Sequence, residues 1–267
     1  MKPKILVHQE PYRNKILRWF AGVTAEVHLI SMTPNPKKLI ALGMRAYTGH
    51  YETDIPEDLV EPFFRDSRTA LATPLEWVNF VFLLKDVPRF FTHQLVRNRI
   101  GVSFVQQSTR NKTEQLYFDF LLPPSYVRAG YSLEKNLDLN QLIQANLAAA
   151  RVIIDAYHTE HLSAEDARFV LPHNFLTHIY WQTNLVALNR VFDKRFCCQA
   201  EKTVWLPVLL QIMRLLQSQC PGLEQVLSSP FLRGESCGYT ASFDKPCVWK
   251  GKTREEILNE SISDSGS

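Results

Sequence analysis

No run of apolar residues approaches the roughly 18 to 20 that would span a bilayer, and the basic start Met1-Lys2-Pro3-Lys4 is not followed by a signal-type apolar core. The expectation is a cytoplasmic protein with no membrane partner. Charge of one sign is also scarce. Thirty Lys and Arg against twenty-seven Asp and Glu leave a formal +3, too slight for a broad nucleic-acid surface, so any anion site must be local. The five cysteines (Cys197, Cys198, Cys220, Cys237, Cys247) are odd in number and late in the chain, which argues against a disulfide framework. Cys237 and Cys247 lack a second close Cys or His pair, and His158, His161, His173 and His178 are not at metal spacing, so no metal is expected. Cys197 and Cys198 read as packing residues. No internal repeat is present.

What is present suits one large domain over 1–254, because 45% hydrophobic content in 267 residues can bury a substantial core, followed by a polar tail at 255–267 expected to be disordered. A short strand is predicted over 27–30. Thr33-Pro34-Asn35-Pro36 then supplies a turn, with Thr33 or Asn35 as cap and Pro36 at the first position of a helix over 37–47. Thr73-Pro74-Leu75-Glu76 opens a helical turn that feeds a strand over 78–85, which Asp86-Val87-Pro88 is expected to break. A helix over 89–96 follows, with Gln94 and Arg97 three residues apart on its last turn. An ordered loop is expected over 98–111. Helices are predicted over 137–158, from a Ser163 cap with Asp166 in the acidic arm, over 175–195 and over 206–216. Trp181, Leu185, Leu188 and Phe192 form an apolar stripe read as core or subunit interface.

The densest functional signal runs from Gln94 to Arg110, QLVRNRIGVSFVQQSTR. Arginine offers a planar fork for phosphate, glutamine can donate to and accept from a pyrimidine edge, and Gly101 lets the backbone approach a ligand closely. An anion with a planar head group fits that set. A solvated loop whose arginines cap helix ends is the plain alternative.

These residues resemble the flavin-dependent thymidylate synthases. That family carries Arg-His-Arg, seven or eight residues, then Ser, and here Arg97-Asn98-Arg99 is followed after eight residues by Ser108. The flanks match, with His93-Gln94-Leu95-Val96 before the motif and Gln106-Gln107-Ser108-Thr109-Arg110 at its end. Thr33-Pro34-Asn35-Pro36 with Arg45 is similar to the family's opening, Thr73-Pro74-Leu75-Glu76 to its Ser/Thr-Pro-Leu-Glu turn, and Glu165-Asp166-Ala167-Arg168 with Leu171-Pro172 to its Glu-Asp-Ala-Arg element. The similarity covers about 27–205 in the family's order.

The resemblance implies an α/β (α+β) fold of helices around a small, mainly antiparallel sheet, assembled as a homotetramer with sites shared between subunits. It implies FAD as cofactor, with methylenetetrahydrofolate and NADPH as cosubstrates, and transfer of a one-carbon unit to carbon 5 of dUMP or UMP. The implied nucleotide-contacting residues are Gln94, Arg97, Gln106, Gln107, Ser108, Arg110, Arg168 and Arg195. Arg97, Ser108 and Arg195 form the catalytic set, with Ser108 read as a hydrogen-bond donor because no motif histidine is there to activate it as a nucleophile. The implied flavin set is Trp77, Asn79, Arg97, Asn98, Arg99, Ile100, Gln106, Asn184 and Arg190.

The flavin side departs from the family pattern. Trp77 and Asn98 stand where the family has histidines, and Gln106 where it has an acid. Val186 and Arg190 replace its usual Arg and Asn, and Glu201, Thr203 and Trp205 its C-terminal signature. Two readings stay open, a divergent working enzyme and a nucleotide-binding scaffold that has lost flavin chemistry. Retained nucleotide-side residues favour the first.

Overall fold

The computed structural model describes residues 4–9, 16–21, 24–67, 72–109, 117–122, 163–196 and 203–227, together with four helical positions at 141, 145, 148 and 152. The expected tail at 255–267 lies outside them, as do Arg110, Cys197, Cys198, Cys237, Cys247, His158 and His161. Of the helix predicted over 137–158, Gln141, Ala145, Ala148 and Val152 are helical and exposed. Their spacing of four, three and four places them on one face.

Helix and strand mix as expected, but the strands form two sheets. The elements, in chain order, are β1 (Lys4–Gln9), β2 (Ile16–Ala21), β3 (Glu26–Met32), α1 (Pro36–Tyr47), α2 (Glu57–Ser67), a 3-10 turn (Thr73–Trp77), β4 (Asn79–Pro88), α3 (Arg89–Leu95), β5 (Val102–Gln106), β6 (Tyr117–Leu121), α4 (Ala164–Ala167), β7 (Leu176–Asn184), α5 (Leu185–Arg195) and α6 (Trp205–Gln219). One sheet has the order β1-β2-β6, antiparallel between β1 and β2 and parallel between β2 and β6. The other has the order β3-β4-β7-β5. Two compact units divide the chain: one holds 1–24, 85–94 and 106–179, the other 25–84, 95–105 and 180–267.

In the second unit, β4 buries Phe80, Phe82 and Leu84 in alternation, the period-two pattern of a strand with one face in a core. Phe82 meets Trp181 of β7 with ring centroids 5.9 Å apart. Helix α6 lies against β3, and Gln211 binds that strand's entry at both ends of its amide. Its Oε1 accepts from the Val27 amide at 3.0 Å and its Nε2 donates to the Ala25 carbonyl at 2.9 Å. Helix α1 packs on α2 through Ala41, Ile55 and Val60. In the first unit, Phe120 and Phe175 meet edge to face, and Asn174 pairs with Leu121 through both its backbone carbonyl and its side-chain amide.

Several sequence expectations are corrected. The helix predicted over 175–195 is a strand as far as Asn184 and a helix only from Leu185. Thr177, Ile179, Trp181 and Thr183 are all buried, so β-branched and aromatic residues alternate inward and the period is two. Asp86-Val87-Pro88 does not break β4. Asp86 takes a φ of 52°, its amide donates to His178 Nδ1 at 3.1 Å, its carbonyl accepts from Thr24 Oγ1 at 2.6 Å, and the strand runs on to Pro88. Neither cap proposed for α1 operates. Asn35 sits left-handed at φ 47° with no side-chain cap bond, and Thr33 is paired with Asn79 instead. The loop expected over 98–111 contains β5. Pro36 does occupy the first turn of α1, and Ser163 accepts from the Asp166 amide at 3.1 Å, both as predicted.

Gly43, inside α1, is where the helix meets the 3-10 turn. A Cβ there would lie 2.7 Å from Pro74 Cβ and Cγ and 2.8 Å from Trp77 Cζ3. On an open helix Gly→Ala gains about 1 kcal/mol of propensity, but a methyl forced into a packed contact costs roughly 1–3 kcal/mol. We therefore expect Gly43→Ala to lower stability in urea unfolding and to shift Trp77, which is half exposed, in near-ultraviolet circular dichroism. A more stable variant with an unchanged spectrum would show that this contact does not seat the ring.

Candidate functional site

The motif begins on α3 and leaves it at Leu95. Asn98 ends the helix: its backbone amide and its side-chain Nδ2 both donate to the Leu95 carbonyl, at 3.1 and 2.9 Å. Arg97 therefore lies in the turn after the helix and not on its last turn beside Gln94, which corrects the sequence expectation. Asn98 stands where the resembled family has histidine, and its amide nitrogen is already used to stop the helix.

In the second unit, Arg97, Arg99 and Arg190 are exposed, and no carboxylate among the described residues pairs with them. Ile100 is 75% exposed, a large apolar side chain left open between these charges. Gly101 has φ +72°, and a Cβ on it would meet the Asn184 side chain at 2.6 to 2.9 Å. The close approach that this glycine permits is thus to Asn184. The Gly101 carbonyl accepts from the Asn184 amide at 2.9 Å, and Asn184 Oδ1 accepts from the Ala187 amide at 2.8 Å as the N-cap of α5. The Leu185 amide donates to Val78, beside Trp77, at 2.9 Å. Motif turn, helix α5 and the Trp77 turn are held together at this junction.

Asn79 has its amide engaged on both sides. Its Nδ2 donates to the Trp77 carbonyl at 3.2 Å, and its Oδ1 accepts from Gln182 Nε2 at 2.9 Å. Trp77 is 47% exposed, with one ring edge against Gly43. At the end of α5, the Arg195 guanidinium lies 5.1 Å from the Trp205 ring centroid, a cation–π contact that orients it.

In the first unit, Gln106 Nε2 donates to Thr92 Oγ1 at 3.1 Å, and that hydroxyl donates to the Arg89 carbonyl at 3.1 Å. Gln107 is fixed by its amide on the His178 carbonyl at 3.0 Å, yet its side-chain Oε1 is buried with no donor among the described residues. A buried acceptor left so costs about 1–3 kcal/mol. Ser108 is exposed, Gln94 is half-buried, and Arg168 is exposed at the end of α4. His93 and His173 meet edge to face at 5.4 Å. Among the described residues no cluster of His, Cys, Asp and Glu could hold a metal.

Sequence reasoning missed Gly43, Thr92 and Arg89. Thr92 and Arg89 sit three residues apart immediately after Pro88, a spacing that marks a first helical turn, but nothing in that spacing signals Gln106 as a partner. Gly43 is a glycine inside a helix, a placement that costs stability and calls for a packing reason.

The family model described as thymidylate synthase complementing protein matches residues 28–222. The flavin-dependent thymidylate synthase of Nitratidesulfovibrio vulgaris is 30% identical over 187 residues, covering 66% of this chain and 76% of its own. That of Clostridium tetani is 30% identical over 195 residues with the same coverage. Among solved structures, the UMP/dUMP methylase PolB from Streptomyces cacaoi bound with 5-Br dUMP superposes with a TM-score of 0.59 at 16% identity, over 77% of this chain and 95% of that one, and so shares the fold. With nearly three quarters of its length matched, the chain belongs to the thymidylate synthase complementing protein family.

Proposed function

We propose that the protein transfers a one-carbon unit from methylenetetrahydrofolate to carbon 5 of a uracil nucleotide, with dUMP as the acceptor, FAD as cofactor and NADPH as reductant. The observation that carries this reading is the set of exposed arginines, Arg97, Arg99, Arg168 and Arg190, for which no carboxylate partner exists among the described residues. Guanidinium groups left open to solvent at a motif of this kind fit phosphate-bearing ligands, because each can form paired charge-assisted hydrogen bonds. The flavin fits the second unit on the same grounds. Arg97, Arg99 and Arg190 can meet its phosphates, and the open ring face of Trp77 with the exposed Ile100 offers an apolar seat for a planar ring system.

A bound flavin supplies the reducing equivalents for the transferred carbon. The chain's own residues bind and orient. Arg168 and Ser108 of the first unit can hold a nucleotide, and within the second unit Arg97 and Arg195 can polarise a carbonyl where negative charge develops during attack at carbon 5. Trp205 keeps the Arg195 guanidinium aimed. Ile30, Val105 and Tyr180 are exposed on strands β3, β5 and β7, which supports a homotetramer in which another copy of the chain covers this sheet face.

A second reading, a nucleotide-binding scaffold without flavin chemistry, draws on Asn98 and Asn79, whose side-chain nitrogens are already engaged within the chain. The purified protein is expected to bind added FAD, seen as a perturbed flavin absorbance spectrum, and then to oxidise NADPH when dUMP and methylenetetrahydrofolate are supplied. Mass spectrometry of the nucleotide after incubation with dUMP or UMP identifies the acceptor and the carbon unit. Nucleotide binding with neither FAD binding nor turnover would leave the scaffold reading standing.

Arg97→Ala and Arg168→Ala should each weaken dUMP binding by about 1.5–3 kcal/mol, roughly 10- to 150-fold in Kd, since each removes a hydrogen bond to a charged group. Both side chains are exposed, so thermal unfolding should move little. Calorimetric titration checks the first and scanning calorimetry the second. Unchanged affinity in both variants would remove these residues from the site.

A further inference from the structure

His178 lies near the start of β7 and is held through both its backbone and its ring. Its carbonyl accepts from the Gln107 amide at 3.0 Å, and its Nδ1 accepts from the Asp86 amide at 3.1 Å. A backbone amide can only donate, so Nδ1 is bare and the ring is neutral with its proton on Nε2. Asp86 presents that amide from a left-handed φ of 52°, while its own carboxylate Oδ1 stands 3.7 Å from the same Nδ1. One ring nitrogen thus faces a donor and an acceptor of a single residue. Its protonation decides which of them it can use.

Both motif glutamines hang on the two segments that this bond joins. After Pro88, β4 passes into α3, where Thr92 Oγ1 accepts from Gln106 Nε2 at 3.1 Å, and β7 holds Gln107 through the His178 carbonyl. The Arg89 amide on Phe175 and the Phe90 amide on His173, both at 3.0 Å, join the same segments, but neither bond can respond to a proton. Among the described residues, the Asp86 carboxylate faces His178 from β4, with Lys85 beside it in the chain. Thr24, on the Asp86 carbonyl, and Gln107 carry no charge, and Tyr180 is the next titratable residue along β7. Histidine is the side chain whose ordinary titration falls between about pH 5 and 8.

We propose that His178 is a positioning residue for Gln106 and Gln107 and makes nucleotide binding pH-sensitive. Neutral, it accepts from Asp86 and locks β4 to β7 with both glutamines in place. Protonated, it donates from Nδ1 to the Asp86 carboxylate, and the Asp86 amide loses the acceptor that pins its left-handed backbone. The pair is half exposed, so the new ion contact recovers little of what the lock supplied. A pair that merely stiffens the fold would alter stability with pH and leave nucleotide affinity alone. The ligand in this inference rests on the uracil-nucleotide reading above; the latch itself does not.

The test follows dUMP affinity of the full chain by calorimetric titration between about pH 8 and pH 5.5. The nucleotide's phosphate also takes up a proton near about pH 6, so variants are compared with wild type at the same pH. His178→Phe, with no acceptor, should bind about three- to tenfold more weakly than wild type at the upper end. His178→Asn offers an amide oxygen in place of Nδ1 and cannot gain a charge, so it should restore that binding and hold it in acid, where wild type weakens by a similar factor. Asp86→Asn keeps the histidine and tolerates the left-handed backbone but removes the carboxylate that attracts the proton, so its acid loss of affinity should set in at lower pH. Parallel profiles for wild type and His178→Asn, or an unmoved onset in Asp86→Asn, would show that His178 does not position the site. Without nucleotide, the Tm of Asp86→Asn should fall more on acidification than that of wild type, and the difference should vanish when both also carry His178→Asn. If dUMP binds but that Tm difference is absent, the latch is wrong and the nucleotide reading stands. If the Tm difference is present but neither dUMP nor UMP binds at any pH, the nucleotide reading fails and the proposed coupling falls with it.

Discussion

The meeting of Gly101 with Asn184 is the contact on which the second unit's candidate site residues depend. It works only because residue 101 has no side chain. Its φ of +72° and its contact distance to the Asn184 amide both exclude a Cβ. Through that gap, Asn184 uses its backbone on the motif turn and its side chain on the first turn of α5, so one residue sets the spacing between Arg97 and Arg99 on one side and Arg190 and Arg195 on the other. The adjoining Leu185 amide on Val78 brings in the Trp77 turn. A displaced turn here would misplace four arginines and an aromatic ring at once.

The first unit solves the same problem with a different device. Of its candidate site residues, Gln106 is tied to α3 through the Thr92 hydroxyl and Gln107 to β7 through the His178 carbonyl, while the Arg168 carbonyl accepts from the Leu171 amide. Hydrogen bonds of this kind each contribute only about 0.5–1.5 kcal/mol net, but they fix direction, which is what recognition of a planar ligand requires. The apolar pairs beneath them, Phe120 with Phe175 and the buried Phe91, give that frame its stiffness.

Much of this was legible in the sequence where local chemistry decides the outcome. Pro36 starting α1, the 3-10 turn at Thr73–Trp77, the Ser163 cap and helix α3 each follow from a residue whose backbone preference is strong. Where the sequence misled, a tertiary partner outweighed the local signal. Trp181 stands four residues before Leu185 on an apolar stripe that runs on at helical spacing to Leu188 and Phe192, but the sheet offers a buried face on which Thr177, Ile179, Trp181 and Thr183 all fit. Gln106 and Asn98, which the family resemblance implies as ligand contacts, also bond within the chain. Their bonds to Thr92 and Leu95 depend on a geometry that no spacing rule contains. The motif itself, as a cluster of arginines, amides and hydroxyls suited to an anion, was visible from residue types alone, and its exposure was not.

The left-handed Asp86 also bears on how this chain can vary. Its amide is turned away from the strand ladder to a histidine ring, and its carbonyl to the Thr24 hydroxyl. Substitutions that persist at position 86 over generations are therefore confined to residues that reach φ near +50° at low cost, chiefly Asn and Gly. Val or Ile, which the same strand welcomes at neighbouring positions, would be purged there, because the cost falls on the backbone and no repacking of side chains can compensate for it. Drift in β4 is thus limited by packing along its buried face and by backbone type at one point.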